Sequence, residues 1–398
     1  MRVVLSTFDS RGGVEPYAAL ARKLRELGAE AVVCAPPDCA DRLAEVGVPF
    51  TPIGDPVRTL VHTTPPPSVA EVAAKLIATQ FDALAKAAEG CDVIVGSGVL
   101  PAAAGARSVA DLLGVPSVHV TYCPIFLPSP HHRPQPLPGL PVSADVTDPA
   151  ALEQLSIDNY NAFLREPLNA ARLGAGLPPV DNVRDYIHTA RPWLAADPVL
   201  APWPGDGVDV LQTGAWVAPD ERPLPADLAA FLADGPPPVY VSFGSMVAPD
   251  GIAGLAIEAI RAQGRRVIVG RGWAELDGVD DRPDCLVVGE VNQQQLFRRV
   301  AAVVHHGGAG TTTTATLAGA PQVVVAQWAD QPYFADRVAA LRIGAGITVG
   351  HGPGPTAEAF AAALATALAS RERATAVAAT IRTDGTTVAA EKLLELAA

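Results

Sequence analysis

Residues 305–312 read HHGGAGTT. An apolar run over 300–304 stops at two histidines, and four residues with almost no side chain follow. Hydroxyls and an apolar helical run come next. A strand that ends in such a turn and restarts as a helix leaves backbone N–H groups free at the positive end of the helix dipole, which makes an anion site. Small residues let a phosphate approach the backbone, and an imidazole in the same turn can donate one more hydrogen bond. An ordinary tight βα turn would explain the glycines, but not two histidines before them. A phosphorylated ligand is the first expectation.

Four other segments sit where strands should end. YVSFGSM puts the Ser245 hydroxyl and N–H just past a strand, and GRGW puts Trp273 where an indole could stack on a base. VVGEVNQQQLF leaves main-chain groups around Val291 for a base edge. QWADQP sets Asp330 and Gln331 side by side at a helix start, an acid and an amide suited to vicinal hydroxyls. Each also has a plainer reading, Trp273 as core filler and Asp330 as an N-cap. Together they fall in sequence at strand ends.

The elements that must position them are βα units. Strands are expected at 2–7, 31–34, 49–52, 92–97 and 117–122. Helices are expected at 14–27, with Pro16 and Glu15 in the first turn, and at 69–89, 102–113 and 149–173. Between them, 124–141 is proline-rich and carries His131 and His132. It cannot be a regular helix or a central strand, and long loops of this kind are usually functional. A second alternating series begins after 214–225. It has strands at PVYVSFGS, RVIVG, LVVG, AAVVHH and PQVVVA, helices from about 310 and 333, and helical patterns to the end. The rhythm predicts an α/β protein of two doubly wound, Rossmann-like domains facing each other across a cleft. The expected divisions are a first domain at 1–213, a linker at 214–225, a second domain at 226–375, and closing helices at 376–398.

Composition narrows the class. The 398 residues carry a net charge of −13, with 49% hydrophobic and 18% charged residues. That is an ordinary globular balance, and it argues against nucleic-acid or anionic-membrane partners. The five cysteines show no zinc-type spacing, which fits reduced thiols in the cytoplasm. No apolar run approaches the ~20 residues that span a bilayer, and MRVVLSTF lacks the features of a signal peptide.

HHGGAGTT followed by WADQP resembles the donor-site signature of the inverting GT-B glycosyltransferases of family 1. SRGGVEP, APPDCADRLAEVGVPF, PWLAADPVL, VLQTGAWVAPDERPL, VYVSFGS and TIRTDGTTVAA are similar to the glycopeptide-antibiotic glycosyltransferases of the vancomycin group. The resemblance covers essentially the whole chain. It implies that His306 and the backbone of Gly307, Gly308, Ala309, Gly310 and Thr311 hold a diphosphate, with hydroxyls from Ser245 and Thr311. It implies that the Val291 segment holds the base and that Asp330 and Gln331 bind sugar hydroxyls. Ser10, Arg11 and Gly12 would close over the diphosphate, and a helix at 385–398 would cross back. The segments 61–67 and 124–141, with His131 and His132, would line the acceptor side. The implied reaction moves a hexose from a UDP- or dTDP-sugar to a hydroxyl, phenolic in expectation, of a bulky glycopeptide aglycone. It needs no cofactor and no metal, and a monomer is expected. The paired Asp330 and Gln331 favour a hydroxyl-rich sugar such as glucose.

One departure matters. The family reads SRGDVEP, with a general-base aspartate where this chain has Gly13. A base is typically worth ~10²–10⁴-fold in rate. Asp9, in the same loop, could serve from a shifted position, and Asp330 is a further carboxylate. A phenolic acceptor could tolerate loss of the base. A binding homologue without transferase activity, or a nucleotide-sugar epimerase, remain the alternatives.

Overall fold

The computed structural model describes residues 1–58, 68–205, 207–246, 248–272, 279–350, 352 and 354–396. The expected acceptor segment 61–67 and Trp273 lie outside them. Contacts divide the chain into two units. One is Met1–Asp197 with Pro202–Ala218 and Thr383–Ala398, and the other is Pro198–Ala201 with Pro219–Arg382. The helix Arg371–Ala378 thus stays with the second unit, and only Gly385–Leu396 returns to the first.

The first unit holds a parallel sheet of β1 (Arg2–Phe8), β2 (Glu30–Ala35), β3 (Phe50–Pro52), β4 (Val93–Gly98), β5 (Ser117–Thr121), β6 (Trp193–Leu194) and β7 (Leu211–Gln212). Their order is β3-β2-β1-β4-β5-β6-β7. Strands buried on both faces read as continuous apolar runs, and Val3, Leu5, Val33, Val93 and Val95 are fully buried. The second unit holds β8 (Val239–Ser242), β9 (Val267–Gly270), β10 (Cys285–Val288), β11 (Ala302–His305), β12 (Gln322–Ala326) and β13 (Gly344–Thr348). Their order is β10-β9-β8-β11-β12-β13. In both sheets the order reverses beside the first strand, between β1 and β4 and between β8 and β11. Open α/β sheets bind ligands at the carboxyl ends of strands flanking such a reversal.

Several expected elements shift. The first helix is Arg11–Glu26, capped by Ser10, whose carbonyl accepts from the Gly13 and Val14 N–H groups. Glu15 and Pro16 therefore lie in its second turn, not its first. Pro16 lacks the N–H that would have bonded the Gly12 carbonyl, an exposed position where water can substitute. The helix expected at 69–89 is Val69–Thr79, followed by a π turn at Gln80–Leu84 and a last turn at Ala85–Ala87. The wide turn carries Gln80 inward, where its Oε1 accepts from Ser6 at 3.1 Å. Only a glycine at 105 leaves room, since a Cβ there would lie 2.6 Å from Gln80 Cγ. The stretch after 340, expected as helix throughout, contains β13. GAGIT is too poor in large apolar residues to show alternation, yet it completes the sheet beside β12. The two-residue strands β6 and β7 are likewise additions. Near the end, a Cβ on Gly385 would stand 2.4 Å from the Ala215 carbonyl, so the last helix starts in tight contact with the end of the first unit's continuous segment.

Candidate active site

In the second unit four loops leave the carboxyl ends of adjacent strands β9, β8, β11 and β12. The turn after β11 is fixed from below. His305 is the last strand residue, fully buried, with its Nε2 2.9 Å from the Gln322 Oε1 on β12. The Gly307 N–H donates to His305 Nδ1 at 3.1 Å. That bond needs Nδ1 unprotonated, so the proton sits on Nε2 and points at Gln322. Gln322 Nε2 donates in turn to Thr316 Oγ1, and Thr316 to the Thr312 carbonyl. The first histidine of the pair is thus a structural residue, which spacing alone does not separate from its neighbour.

His306 turns the other way. Its ring lies between two glycines. A Cβ on Gly308 would stand 2.6 Å from its Nε2, and one on Gly244 3.2 Å from its Cε1. Burial holds the imidazole down at about 4, so it is neutral near pH 7. Its Nδ1 is buried without a hydrogen-bond partner among the described residues. Gly244 follows β8 and His306 follows β11, so this contact stands at the strand-order reversal of the sheet.

The helix Ala309–Leu317 begins next to the ring. Gly308 is its N-cap and supplies no capping side chain. The Gly308 carbonyl opens the intrahelical ladder by taking the Thr312 N–H. The N–H groups of Ala309, Gly310 and Thr311 occupy the first turn, where a helix has no acceptors of its own. Thr312 Oγ1 is occupied by the Gly308 carbonyl at 2.9 Å, whereas Thr311 is partly exposed. Ser245, also partly exposed, lies in the turn after β8, which a bond from Gly244 N–H to Ser242 Oγ closes.

Asp330 comes to the same end of the sheet. Gly307 has φ +99°, and a Cβ there would meet the Gln331 backbone at 3.1 Å, so the loop after β12 abuts the turn after β11. Asp330 is the N-cap of Gln331–Ala340, at the helix start where the sequence put it, and makes no side-chain capping bond. Gln331 also serves the loop itself. It is buried, and its amide oxygen accepts from the Gln327 and Trp328 N–H groups at 2.8 and 3.4 Å. It therefore shapes the loop that presents Asp330. Ala329 is held at φ +57°, a strained conformation for a residue with a Cβ. Beside it Trp328 is 50% exposed, a feature that reading WADQ for its acid and amide passes over. Val291 is partly buried against Leu296 and Phe297. Asn292 next to it caps the following helix and ties it to the Asp220 and Arg222 carbonyls.

In the first unit the expected acceptor-side histidines separate. His131 is exposed, while His132 joins Phe126, Tyr160, Arg184 and His188 around a small open pocket under the proline-rich loop. Arg11 is ion-paired with Glu15 at 2.8 Å, and Gly12 is exposed with no atoms near a notional Cβ. Burial alone would raise the Glu15 carboxyl. Hydrogen bonds from Arg42 and Arg11 outweigh it and hold the group below its ordinary value. Among the described residues no group of three His, Cys, Asp or Glu side chains could hold a metal, and no helix is long and apolar enough to cross a membrane.

Two parallel α/β sheets, one carrying a glycine-rich turn at a helix N-terminus with an acid beside it, match the GT-B class of nucleotide-sugar transferases. Solved structures share the fold, among them the glycosyltransferase of kitacinnamycin (TM-score 0.72, 20% identity, 100% of this chain and 99% of that one). The glycosyltransferase VinC in complex with dTDP is another (TM-score 0.68, 18% identity, 100% and 99%). The family model of the erythromycin biosynthesis protein CIII-like C-terminal domain matches residues 258–392, and that of the glycosyl transferase 4-like domain matches 12–162. Glycosyltransferase GtfE of Amycolatopsis orientalis is 54% identical over 99% of this chain and 97% of its own length. The vancomycin aglycone glucosyltransferase of the same organism is 53% identical over 99% and 97%. The chain belongs to the vancomycin-group glycosyltransferases.

Proposed function

We propose that the enzyme moves a hexose from a UDP- or dTDP-sugar, with inversion, to a phenolic hydroxyl of a glycopeptide aglycone. The observation that carries this reading is the His306 ring lodged between Gly244 and Gly308 at the reversal of the second sheet. A neutral imidazole with an unsatisfied nitrogen, set beside the uncapped first turn of a helix, suits a diphosphate that gains charge as it leaves. One dipole-oriented site then does the work a metal would otherwise do. Gly307, Gly308, Ala309, Gly310 and Thr311 supply backbone to the diphosphate, Ser245 and Thr311 add hydroxyls, and the main chain at Val291 takes the base. Trp273 remains the stacking candidate. Asp330 takes sugar hydroxyls, from a loop whose shape Gln331 fixes. Ser10, Arg11 and Gly12 close on the donor, and His131 and His132 flank the acceptor.

Relatives support the substrate class. One is a vancomycin aglycone glucosyltransferase, and another, 47% identical over 87% of this chain and 85% of its own, is a dTDP-epi-vancosaminyltransferase from Amycolatopsis orientalis. The protein acts as a cytoplasmic monomer in this reading. Incubation with vancomycin aglycone and either UDP-glucose or dTDP-glucose, read by mass spectrometry, tests it. A product heavier by one hexose is expected. Bound nucleotide with no product from either donor overturns the acceptor assignment.

A further inference from the structure

Asp9 stands one residue past β1, at the reversal between β1 and β4 in the first sheet. Gly98, the last residue of β4, is pressed so closely on β1 that a Cβ would meet the Phe8 carbonyl at 2.6 Å. A carboxyl at this place faces the carboxyl edge of an acceptor-type sheet, the ligand end of such folds. It carries no ion pair among the described residues. Its hydrogen bonds come from its neighbour Ser10, the Ser10 N–H donating to Oδ1 at 2.6 Å and the Ser10 side chain also bonding the carboxylate. The remaining oxygen is directed at the first turn of the Arg11–Glu26 helix, where a Cβ on Gly13 would lie 2.5 Å from both Asp9 Cβ and Oδ2.

The groups around it keep it alone as the ionisable one. Tyr122, past β5, is pushed well above its ordinary range by burial, as is Tyr17 on the first helix. Cys39, from the turn after β2, is pushed up to about 12 by burial. Arg11 is engaged by Glu15, and Arg42 by Glu15 and Glu45. Desolvation raises the Asp9 carboxyl to about 6, the range of a working base near neutral pH. Tyr122 also sets the loop. Its hydroxyl donates to the Gly13 carbonyl at 3.1 Å, and its ring meets Trp216 edge-on with centroids 6.5 Å apart.

We propose that Asp9 takes the proton from the acceptor hydroxyl, and that residue 13 is glycine because the Asp9 carboxyl fills the space of a side chain there. The inference rests on the transfer reading above. The acceptor oxygen bonds to the anomeric carbon as the bond from that carbon to the diphosphate oxygen breaks. The bonding pair leaves with the nucleoside diphosphate, and the hydroxyl proton passes to a carboxylate oxygen of Asp9. Tyr122 is a positioning residue that acts through the Gly13 carbonyl.

The test uses the full chain with vancomycin aglycone and whichever of UDP-glucose and dTDP-glucose is turned over, with dTDP and UDP binding followed separately by calorimetry. Asp9→Asn should lower kcat at least ~10²-fold with nucleotide affinity unchanged, and the acid limb of kcat/KM near pH 6 should vanish from the residual rate. Gly13→Asp alone should also lose activity, because the new side chain collides with Asp9. The exchange Asp9→Gly with Gly13→Asp should regain at least ten-fold over Asp9→Asn, since it returns a carboxylate to the same space. An Asp9→Asn enzyme within three-fold of wild type, or one that keeps the limb near pH 6, overturns the role of Asp9 and leaves the transfer reading standing. A wild type that binds nucleotide and forms no product overturns both.

Discussion

Gln322 holds His305 by a 2.9 Å bond between two fully buried side chains on adjacent strands, and that bond sets which nitrogen faces the turn. With Nε2 protonated toward Gln322, Nδ1 is left to accept the Gly307 N–H. The buried histidine therefore shapes the turn proposed to hold the diphosphate. Gln322→Leu would leave a buried imidazole N–H unpaired, at ~1–3 kcal/mol. Chemical denaturation should show a loss of that size, and its absence would mean the network carries no weight.

His306→Ala should weaken dTDP or UDP binding about 10–100-fold, the value of one hydrogen bond to a charged group. Gly308→Ala should do comparable harm without touching the histidine itself, since its Cβ would stand 2.6 Å from Nε2. Titration calorimetry reads both. Wild-type affinity in either variant would move the phosphate site away from this turn.

The His306 imidazole titrates at about 4 in the folded chain against an ordinary 6.5. Between those values the unfolded chain binds more protons, so the stability from the neutral ring is whole above pH 6.5 and drains away as pH falls toward 4. It is bounded by ~3 kcal/mol, and less in practice because the residue is partly exposed. The melting temperature of wild type should fall faster than that of His306→Gln over this window. A diphosphate beside the ring favours its charged form, so added dTDP should narrow the gap. Parallel curves with and without dTDP would separate the ring from the ligand.

Asp9 runs in the opposite sense. Its folded value, about 6, lies above the ordinary 3.8, so the protonated form is favoured in the fold, stability falls as pH rises from about 3.8 to 6, and the full cost of the carboxylate is present above that. Asp9→Asn should therefore stabilise the protein at pH 7.5 by ~1–2 kcal/mol. That is below the ~3 that two pKa units would give, because the residue is partly exposed. Thermal unfolding of the variant checks it. A destabilised Asp9→Asn would mean the carboxylate is held for packing.

What the sequence made legible follows from how loudly each feature speaks. The βα rhythm and the phosphate turn were readable because buried parallel strands are unbroken apolar runs and turns need glycine. β13 was not, since Gly344, Ala345 and Gly346 give no apolar signal. A Cβ at Gly344 would strike the Gln322 carbonyl, so the fit of backbone on backbone is what demands small residues there. The start of the first helix was hidden by Gly12 and Gly13, which look like a turn. Asp9 could be singled out as an acid in the right loop, but the reason for Gly13 required the distance between them. His305 and His306 are alike in sequence and differ only in which side of the strand end each faces.

The helix Gly385–Leu396 packs its Ala389, Ala390 and Leu393 into the same core as Tyr17, Leu20 and Leu24 of the first helix. Between them the chain has left to build the whole second unit. A ribosome making this protein therefore completes the first unit last. The part of the first helix that the last one covers stays open while nearly all the remaining residues are made, a long interval in which a chaperone or a neighbouring chain can reach it. The second unit, bounded by Pro219 and Arg382 apart from four residues, has no such wait. Severing the chain near residue 218 would leave the first unit without its closing helix, whereas supplying 383–398 as a separate peptide should restore it.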